Sequence, residues 1–410
     1  MITRSRPDAP ASVRSLCAHD MKLIVLLLLV LISLGVWEMA RHRWYLRRIP
    51  VRVHVNGSRG KSSVARLIAA GLRGGDRRVV VKTTGSAAAV IHTDGRETPV
   101  PRRGGPNIRE QLKVIRDAAR EGCDALVIEC MAVRPDLQRT CEHAIVHATH
   151  GVITNVRPDH LEVMGPTLAD VAVSLAGTVP HRSHLFHAES RFAGYFAERA
   201  RKADSRCTEA TADEVPPEVM DGFRYVEFPE NVALALSVCD AVGVGRDRAL
   251  PAMFDVSPDV GAMTLWHLDT DRGPITFVNG FAANDPDSYV RIWDRLKLTE
   301  RADEVVLLFN NREDRMRRAK DLLPMFGREM PAGRYVLIGE QTRTLIDMLR
   351  RQRLPMDRVE DLAGRPAAEL WAKLADLCPT GGLIIGIGNI KGIGNELLAY
   401  LRGRLPQEVA

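Results

Sequence analysis

Asn56-Gly57-Ser58-Arg59-Gly60-Lys61-Ser62-Ser63 follows directly on an apolar-alternating run, Val51-Arg52-Val53-His54-Val55, and opens a helical run, Val64 to Leu72. A strand, a Gly-rich turn and a Lys-Ser pair at the start of a helix form a phosphate cradle. Backbone N–H groups of the turn and the positive end of the helix face the anion. The lysine adds a mobile charge, and the serine hydroxyl suits Mg²⁺. Gly57, Ser58, Arg59, Gly60, Lys61, Ser62 and Ser63 are therefore the candidate nucleotide-binding residues. The loop is shorter than a standard Walker A, because Val55 stands where the first glycine of that motif would fall.

Outward from the loop, apolar runs at Val79–Val81, Ala125–Ile128 and Gly151–Ile153 read as buried parallel strands. Ile108–Arg120 and Pro166–Leu175 read as helices. Glu129 ends the strand Ala125–Ile128. In open parallel sheets ligands gather at the carboxyl ends of strands, so a carboxylate there can hold a metal or orient a nucleophile. Asn155, a candidate substrate contact, and Pro158-Asp159-His160-Leu161-Glu162 follow the next strand. A histidine beside two acids can serve as a metal ligand; alone it is more often a satisfied loop residue. The loop, Glu129 and the Asn155/His160 pair occupy the ends of three strands, and this joint placement is more specific than any one of them.

A second alternation begins near residue 273. Ile275–Val278, Val305–Phe309, Tyr335–Ile338 and Leu383–Ile387 read as strands. Pro286–Leu298, Arg317–Phe326, Gln341–Arg351, Ala367–Leu377 and Gly394–Leu401 read as helices. The expectation is two α/β domains in series, residues 41–265 and 266–410, the second Rossmann-like.

The chain has 410 residues and a net charge of +6, with basic and acidic side chains interspersed. That is too weak a signal for a nucleic-acid binder. Seven cysteines without a C-x-x-C pair point to reduced thiols in the cytosol. Residues 1–20 are polar and read as an irregular extension, and Met21 offers a second start. Leu23 to Trp37 carries no charge. With flanking Met21, Met39 and Ala40 it suits a single transmembrane helix over residues 21–40. A cleaved signal peptide is the rival, but Trp37-Glu38-Met39-Ala40-Arg41 lacks an A-x-A site. Arg41, Arg43, Arg47 and Arg48 put the C-terminal side in the cytoplasm, on the inner face of the cell membrane.

Together these blocks resemble a known family. Gly57-x-x-Gly60-Lys61-Ser62-Ser63, then Glu129, then Thr154-Asn155-x-x-x-Asp159-His160-Leu161-Glu162, resembles the Mur ligase superfamily of ATP-dependent amide ligases. Further blocks are similar to the PgsB/CapB ligase subunits of poly-γ-glutamate synthases. They are Lys82-Thr83-Thr84-Gly85, Gly105-Pro106-Asn107-Ile108, Glu129-Cys130-Met131-Ala132-Val133, Phe228-Pro229-Glu230-Asn231, Val278-Asn279-Gly280-Phe281 and Gly386-Ile387-Gly388-Asn389. The resemblance implies ATP and Mg²⁺ as cofactors, and L- or D-glutamate and the growing chain as substrates. It implies an acyl-phosphate intermediate and partnership with PgsC- and PgsA-like membrane subunits. It places Lys61 on the β/γ-phosphates and Ser62 on one Mg²⁺, and gives Glu129 and His160 a second. Asn231 matches a residue that meets the adenine, while Asn284 and Asp285 lie in a second-domain nucleotide or substrate loop.

Two departures stand out. Many superfamily members use a carbamylated lysine where Leu175 stands, and this chain has no lysine between Lys113 and Lys202. The arginine usual at the linker to the last domain is missing around Gly261-Ala262-Met263-Thr264. Arg102-Arg103, Arg312 and Arg315 are candidate contacts for an acidic substrate, because guanidinium forks suit carboxylates. The bland alternative for them is a solvated basic surface. Two other functions remain open at this stage: a Mur- or folylpolyglutamate-type ligase with another substrate, and an ATPase that energises a transporter without making a bond.

Overall fold

In the computed structural model, residues 11–84, 88–102, 105–223, 225–257, 263–281 and 286–405 are described. The first sheet is built from β1 (Val51–Asn56), β2 (Val79–Lys82), β3 (Ala89–Ile91), β4 (Glu97–Pro99), β5 (Ala125–Glu129), β6 (His150–Ile153), β7 (His184–His187) and β8 (Arg206–Glu209). Their spatial order is β4-β3-β2-β5-β1-β6-β7-β8. β2, β5, β1, β6, β7 and β8 run parallel to one another, and β3 and β4 add an antiparallel edge beside β2. β1 and β5 are central because almost every side chain they carry is buried, as a strand covered on both faces demands.

The second sheet contains β9 (Thr264–Thr270), β10 (Gly273–Asn279), β11 (Val305–Asn311), β12 (Arg334–Gly339), β13 (Val359–Asp361) and β14 (Leu383–Gly388), in the order β13-β12-β11-β14-β10-β9. All neighbours are parallel except the β9–β10 hairpin. The eight strands expected from apolar runs are all present. Six others were not anticipated: β3, β4, β7, β8, β9 and β13. They are sheet edges or next to edges, with short or alternating apolar content. In β9 only Trp266 and Leu268 are buried, so its pattern is that of an edge covered on one side.

Helix α1 (Ala11–Arg47) corrects the N-terminal reading. Residues 11–20, expected to be irregular, belong to the helix, and it runs seven residues past the expected end of the apolar segment at 40. Its stretch Met21–Arg47 is the one helix among the described residues long and apolar enough to cross a membrane. Large apolar side chains from Met21 to Met39 are exposed. At its foot Tyr45 and Leu46, with Ile49 just beyond, are buried against Val114, Ile115 and Ala118 of helix α3 (Glu110–Glu121). The apolar helix therefore enters the first domain without a flexible linker.

Helix α2 (Lys61–Gly74) starts on the loop itself, three residues before the expected apolar onset. Its inner face packs on β1 and β5 and on the helix Pro229–Ala241. This packing aims its N-terminus at the carboxyl ends of the central strands.

Candidate active site

The loop after β1 has the conformation its glycines require. Gly57 has φ +135°, and a Cβ there would lie 2.0 Å from Thr154 Oγ1. Gly60 has φ +77° and stands at the N-cap of α2; a Cβ on it would come within 3.1 Å of Asn231 Oδ1. A left-handed conformation and a crowded wall together leave glycine as the fitting residue at both positions.

Residues far along the chain brace the loop. Thr154 Oγ1 donates to the Arg59 carbonyl at 2.6 Å. Asn155 grips the same residue twice: its Oδ1 accepts from Arg59 N and its Nδ2 donates to Arg59 O, each at 3.1 Å. Ser58 Oγ donates to the Arg157 carbonyl at 3.1 Å and accepts from Arg157 N at 3.0 Å. The Arg59 guanidinium pairs with Asp159 at 3.2 Å. Asn155, expected as a substrate contact, thus spends its side chain on holding the loop, although it also lines the cleft described below.

Lys61 folds back on the loop. Its Nζ donates to Gly57 O at 2.7 Å and to Ser58 O at 3.1 Å. These two carbonyls hold the ammonium over the loop, where a phosphate would sit. Ser62 Oγ donates to Glu129 Oε2 at 2.8 Å, and Thr84 N donates to the same oxygen at 2.7 Å. Glu129 is buried at the end of β5. Its backbone carbonyl accepts from Gln111 Nε2 at 3.4 Å. The hydroxyl and carboxylate that the sequence assigned to metal therefore meet directly.

His160 stands elsewhere. It is exposed, has φ +46°, and its ring approaches Asp159 at 3.9 Å and Glu162 at 3.4 Å. Among the described residues, no group of three His, Cys, Asp or Glu side chains gathers closely enough to hold a metal ion on its own.

Two buried charges behind Glu129 escaped the sequence reading. Lys82, at the end of β2, is fully buried. Burial holds its ammonium below the usual range, against the opposing charges of Glu110 and Glu129. The Glu110 carboxylate lies 3.8 Å away and also receives Arg102 at 2.9 Å. On β1, His54 Nδ1 meets Glu142 Oε2 at 2.7 Å. Burial works against the imidazolium, but hydrogen bonds to Cys130 and Glu142 overcome it and raise the group to about 10. The Cys130 thiol, hydrogen-bonded by Cys141 and then by His54, is held well below its ordinary value. This set of charges fixes the chain immediately after Glu129. No local motif could reveal it, because His54 and Glu142 are 88 positions apart.

The loop opens into a cleft of 760 Å³ between the two domains. Gly60, Ser63, Asn155, Glu227 and Asn231 line it from the first domain, and Asn279, Ser288 and Arg291 from the second. Arg291 lies 5.0 Å over the Phe228 ring and forms an ion pair with Glu230, which closes one side. Glu227 is buried, and burial pushes its carboxyl up to about 7.

Arg312 is at the end of β11, paired with Asp314 at 2.9 Å. It lines a separate cavity of 630 Å³ with Asn311, Glu340, Arg365 and Lys391. This cavity lies over the carboxyl ends of β11, β12 and β14, where the strand order reverses. Arg315 caps the next helix, is exposed and does not line the cavity. Arg102 is engaged by Glu110. Arg103, Asn284 and Asp285 lie outside the described residues.

Comparison with known proteins agrees with this architecture. Residues 55–176 match the Mur ligase middle domain family. Residues 265–404 match the family of the poly-gamma-glutamate synthase CapB C-terminal domain. The chain is 36% identical over 385 residues to PGA synthase CapB of Bacillus subtilis (strain 168), covering 92% of this chain and 97% of that one. It is 37% identical over 376 residues to capsule biosynthesis protein CapB of Bacillus anthracis, covering 90% and 80%. Among solved structures, the Mycobacterium tuberculosis folylpolyglutamate synthase complexed with ADP and AMPPCP superposes with TM-score 0.63 at 15% identity, covering 90% of this chain and 95% of that one. MurF from Acinetobacter baumannii superposes with TM-score 0.63 at 13% identity, covering 91% and 80%. The fold is that of a Mur ligase, with a Rossmann-like second domain.

Proposed function

The chain belongs to the poly-gamma-glutamate synthase CapB family, and from that premise we propose that it is an ATP-dependent amide ligase that extends poly-γ-glutamate through an acyl phosphate. The observation that supports the chemistry is the Ser62–Glu129 hydrogen bond at the carboxyl ends of β1 and β5, beside the loop over which Lys61 is held. A carboxylate of the growing chain takes the γ-phosphoryl group of ATP and releases ADP. The amine of the incoming glutamate attacks the acyl carbon, loses a proton, and expels inorganic phosphate as the amide forms.

Positioning and charge neutralisation are the protein's main tasks in such a transfer. Lys61 leaves the loop carbonyls for the β/γ-phosphates. The donor set at Ser62 and Glu129, a hydroxyl and a carboxylate beside phosphate oxygens, fits a hard divalent cation such as Mg²⁺. Its chemistry there is to offset charge on the transferred group. His160, now beside Asp159 and Glu162, would join Glu129 in holding a second such cation. Asn231 faces the base. Arg312, with Arg365 and Lys391 in the same cavity, offers a fork for glutamate carboxylates. The direct test is to incubate membranes carrying the protein with ATP and labelled glutamate and to size the product. Polymer that requires ATP supports the reading; ATP hydrolysis without any new amide contradicts it.

α1 anchors the enzyme to the inner membrane with both domains in the cytoplasm. A polyanion carrying one charge per residue does not cross hydrocarbon unaided. One helix lines no pore, so separate membrane subunits of the PgsC and PgsA kind complete export. Removing residues 1–40 is expected to free the protein from membranes while leaving ATP binding intact. The foot of α1 at Tyr45 and Leu46, which packs on α3, stays with the domain. Sedimentation with lipid vesicles checks this; a truncated chain that still pellets with them has a second membrane contact.

A further inference from the structure

We propose that a cationic groove under the first sheet, beside the foot of α1, holds the finished part of the poly-γ-glutamate chain on its way to the membrane. The ligand is an acidic polymer with carboxylates at regular spacing. This rests on the reading of the protein as a poly-γ-glutamate ligase anchored by α1.

Two adjoining cavities of 490 and 430 Å³ share Arg139, His143 and His181 in their lining. Arg199 borders the first, and Arg52 and His147 border the second. The rings of His143 and His181, which belong to both, lie 4.8 Å apart. Arg139, His147, His181 and Arg199 are exposed. Among the described residues, Arg139 and Arg199 pair with no carboxylate. The two carboxylates in the lining are already engaged. Asp136 pairs with Arg134 at 2.8 Å, while Glu142 meets His54 at 2.7 Å and Ala148 N at 2.8 Å. Guanidinium forks and imidazole N–H groups with no acid of their own to meet suit an anionic ligand.

Position favours the polymer as occupant. The phosphate loop stands at the carboxyl end of β1, whereas the groove lies at the amino ends of β1, β6 and β7, about 20 Å away along the strand. This is the edge at which α1 enters. His42 of α1 meets the Ile145 carbonyl at 2.7 Å, and Arg52 donates to the carbonyls of Leu46, Ile49 and His147. His42 is less than one turn beyond Met39, where the exposed apolar run from Met21 ends. The groove wall therefore flanks α1 where it leaves the apolar segment. A polyanion made at one edge of the sheet and exported past the other travels along the domain, and cations along that path offset its charge. Two cavities in line fit a chain with successive carboxylates better than a flat layer of lipid headgroups.

Reach makes the contact depend on length. Each γ-linked residue adds roughly 6 Å to an extended chain. With its growing end in the interdomain cleft, a chain of about three residues stays near the carboxyl edge of the sheet. A chain of about thirty residues reaches the groove at the other edge. The groove therefore tightens binding of long chains and leaves short ones to the cleft.

The experiment uses the full-length protein in nanodiscs of zwitterionic lipid, with fluorescently labelled poly-γ-glutamate of about three and about thirty residues. Anisotropy gives Kd for each length, and extension with ATP and glutamate gives KM and kcat. The wild type is expected to bind the long chain about tenfold more tightly than the short one. The double variant Arg139→Gln, Arg199→Gln is expected to lose that advantage, with kcat and the KM values for ATP and the short chain unchanged. Equal Kd values for the two lengths in the wild type overturn the proposal. So does a double variant that keeps the advantage, or one that weakens both lengths together, since that effect runs through the cleft or the fold. Replacing about a third of the lipid by an anionic one tests the other source of anions. Long-chain binding that persists bears out the polymer, and binding that disappears gives the groove to headgroups and overturns the proposal. If the wild type extends neither chain with ATP, the ligase reading itself fails. If it extends the short chain but has no preference for the long one, only the groove fails.

Discussion

Replacing Lys61 by alanine is expected to lower the rate of polymer formation roughly a thousandfold, about 4 kcal/mol of barrier, with the fold retained. The side chain is only half-buried, and its partners are two carbonyls of its own loop. Those carbonyls can turn to water, so truncation removes little packing. What it removes is the one lysine on the loop, a charge that acts while phosphoryl charge is developing. Comparing kcat with the thermal midpoint separates the two effects. A well-folded variant with near-normal kcat would rule out the loop as the phosphate site.

Glu129→Gln is expected to lower kcat about a hundredfold, and the divalent cation concentration giving half-maximal rate is expected to rise about tenfold. ATP affinity is expected to change far less. Glu129 Oε2 holds both Ser62 Oγ and Thr84 N, so one oxygen orients two partners. The amide keeps the shape and loses the charge that attracts a cation. A titration indistinguishable from that of the wild type would show that Glu129 is a structural brace and not a metal ligand. His160→Ala, measured alongside, tests whether the exposed ring takes part. An unchanged titration would exclude it.

The difference in legibility between these residues is physical. The loop could be read because its chemistry is local: two glycines, a lysine and a serine lie within six positions of one another and need only the strand and helix on either side. Glu129 could be read because a carboxylate at the end of an apolar run falls at the ligand-bearing edge of a parallel sheet. The bracing partners were hidden, since Thr154 and Asn155 reach Arg59 across 95 and 96 positions. Asn155 was noticed, but sequence could not say whether its amide faced a substrate or the loop. Lys82 and His54 were unreadable for the same reason: a buried charge is recognised by what surrounds it, and here that is Glu110, Glu142 and Cys130. Residues 11–20 carry only a short apolar period, Val13-Leu16-Cys17, among polar side chains, yet they continue the helix that the apolar segment propagates. β9 was missed because a one-sided edge strand carries only half of the buried pattern.

Oxygen tracing distinguishes an acyl phosphate from every other route of carboxylate activation. Poly-γ-glutamate acceptor labelled with ¹⁸O in its terminal γ-carboxylate would be extended in membranes with ATP and glutamate. An acyl phosphate leaves one ¹⁸O atom in inorganic phosphate for each bond formed, with ADP as the other product. Label in AMP would mean an adenylate intermediate. Phosphate free of label would mean that ATP is hydrolysed without activating the carboxylate. Either result would contradict the mechanism.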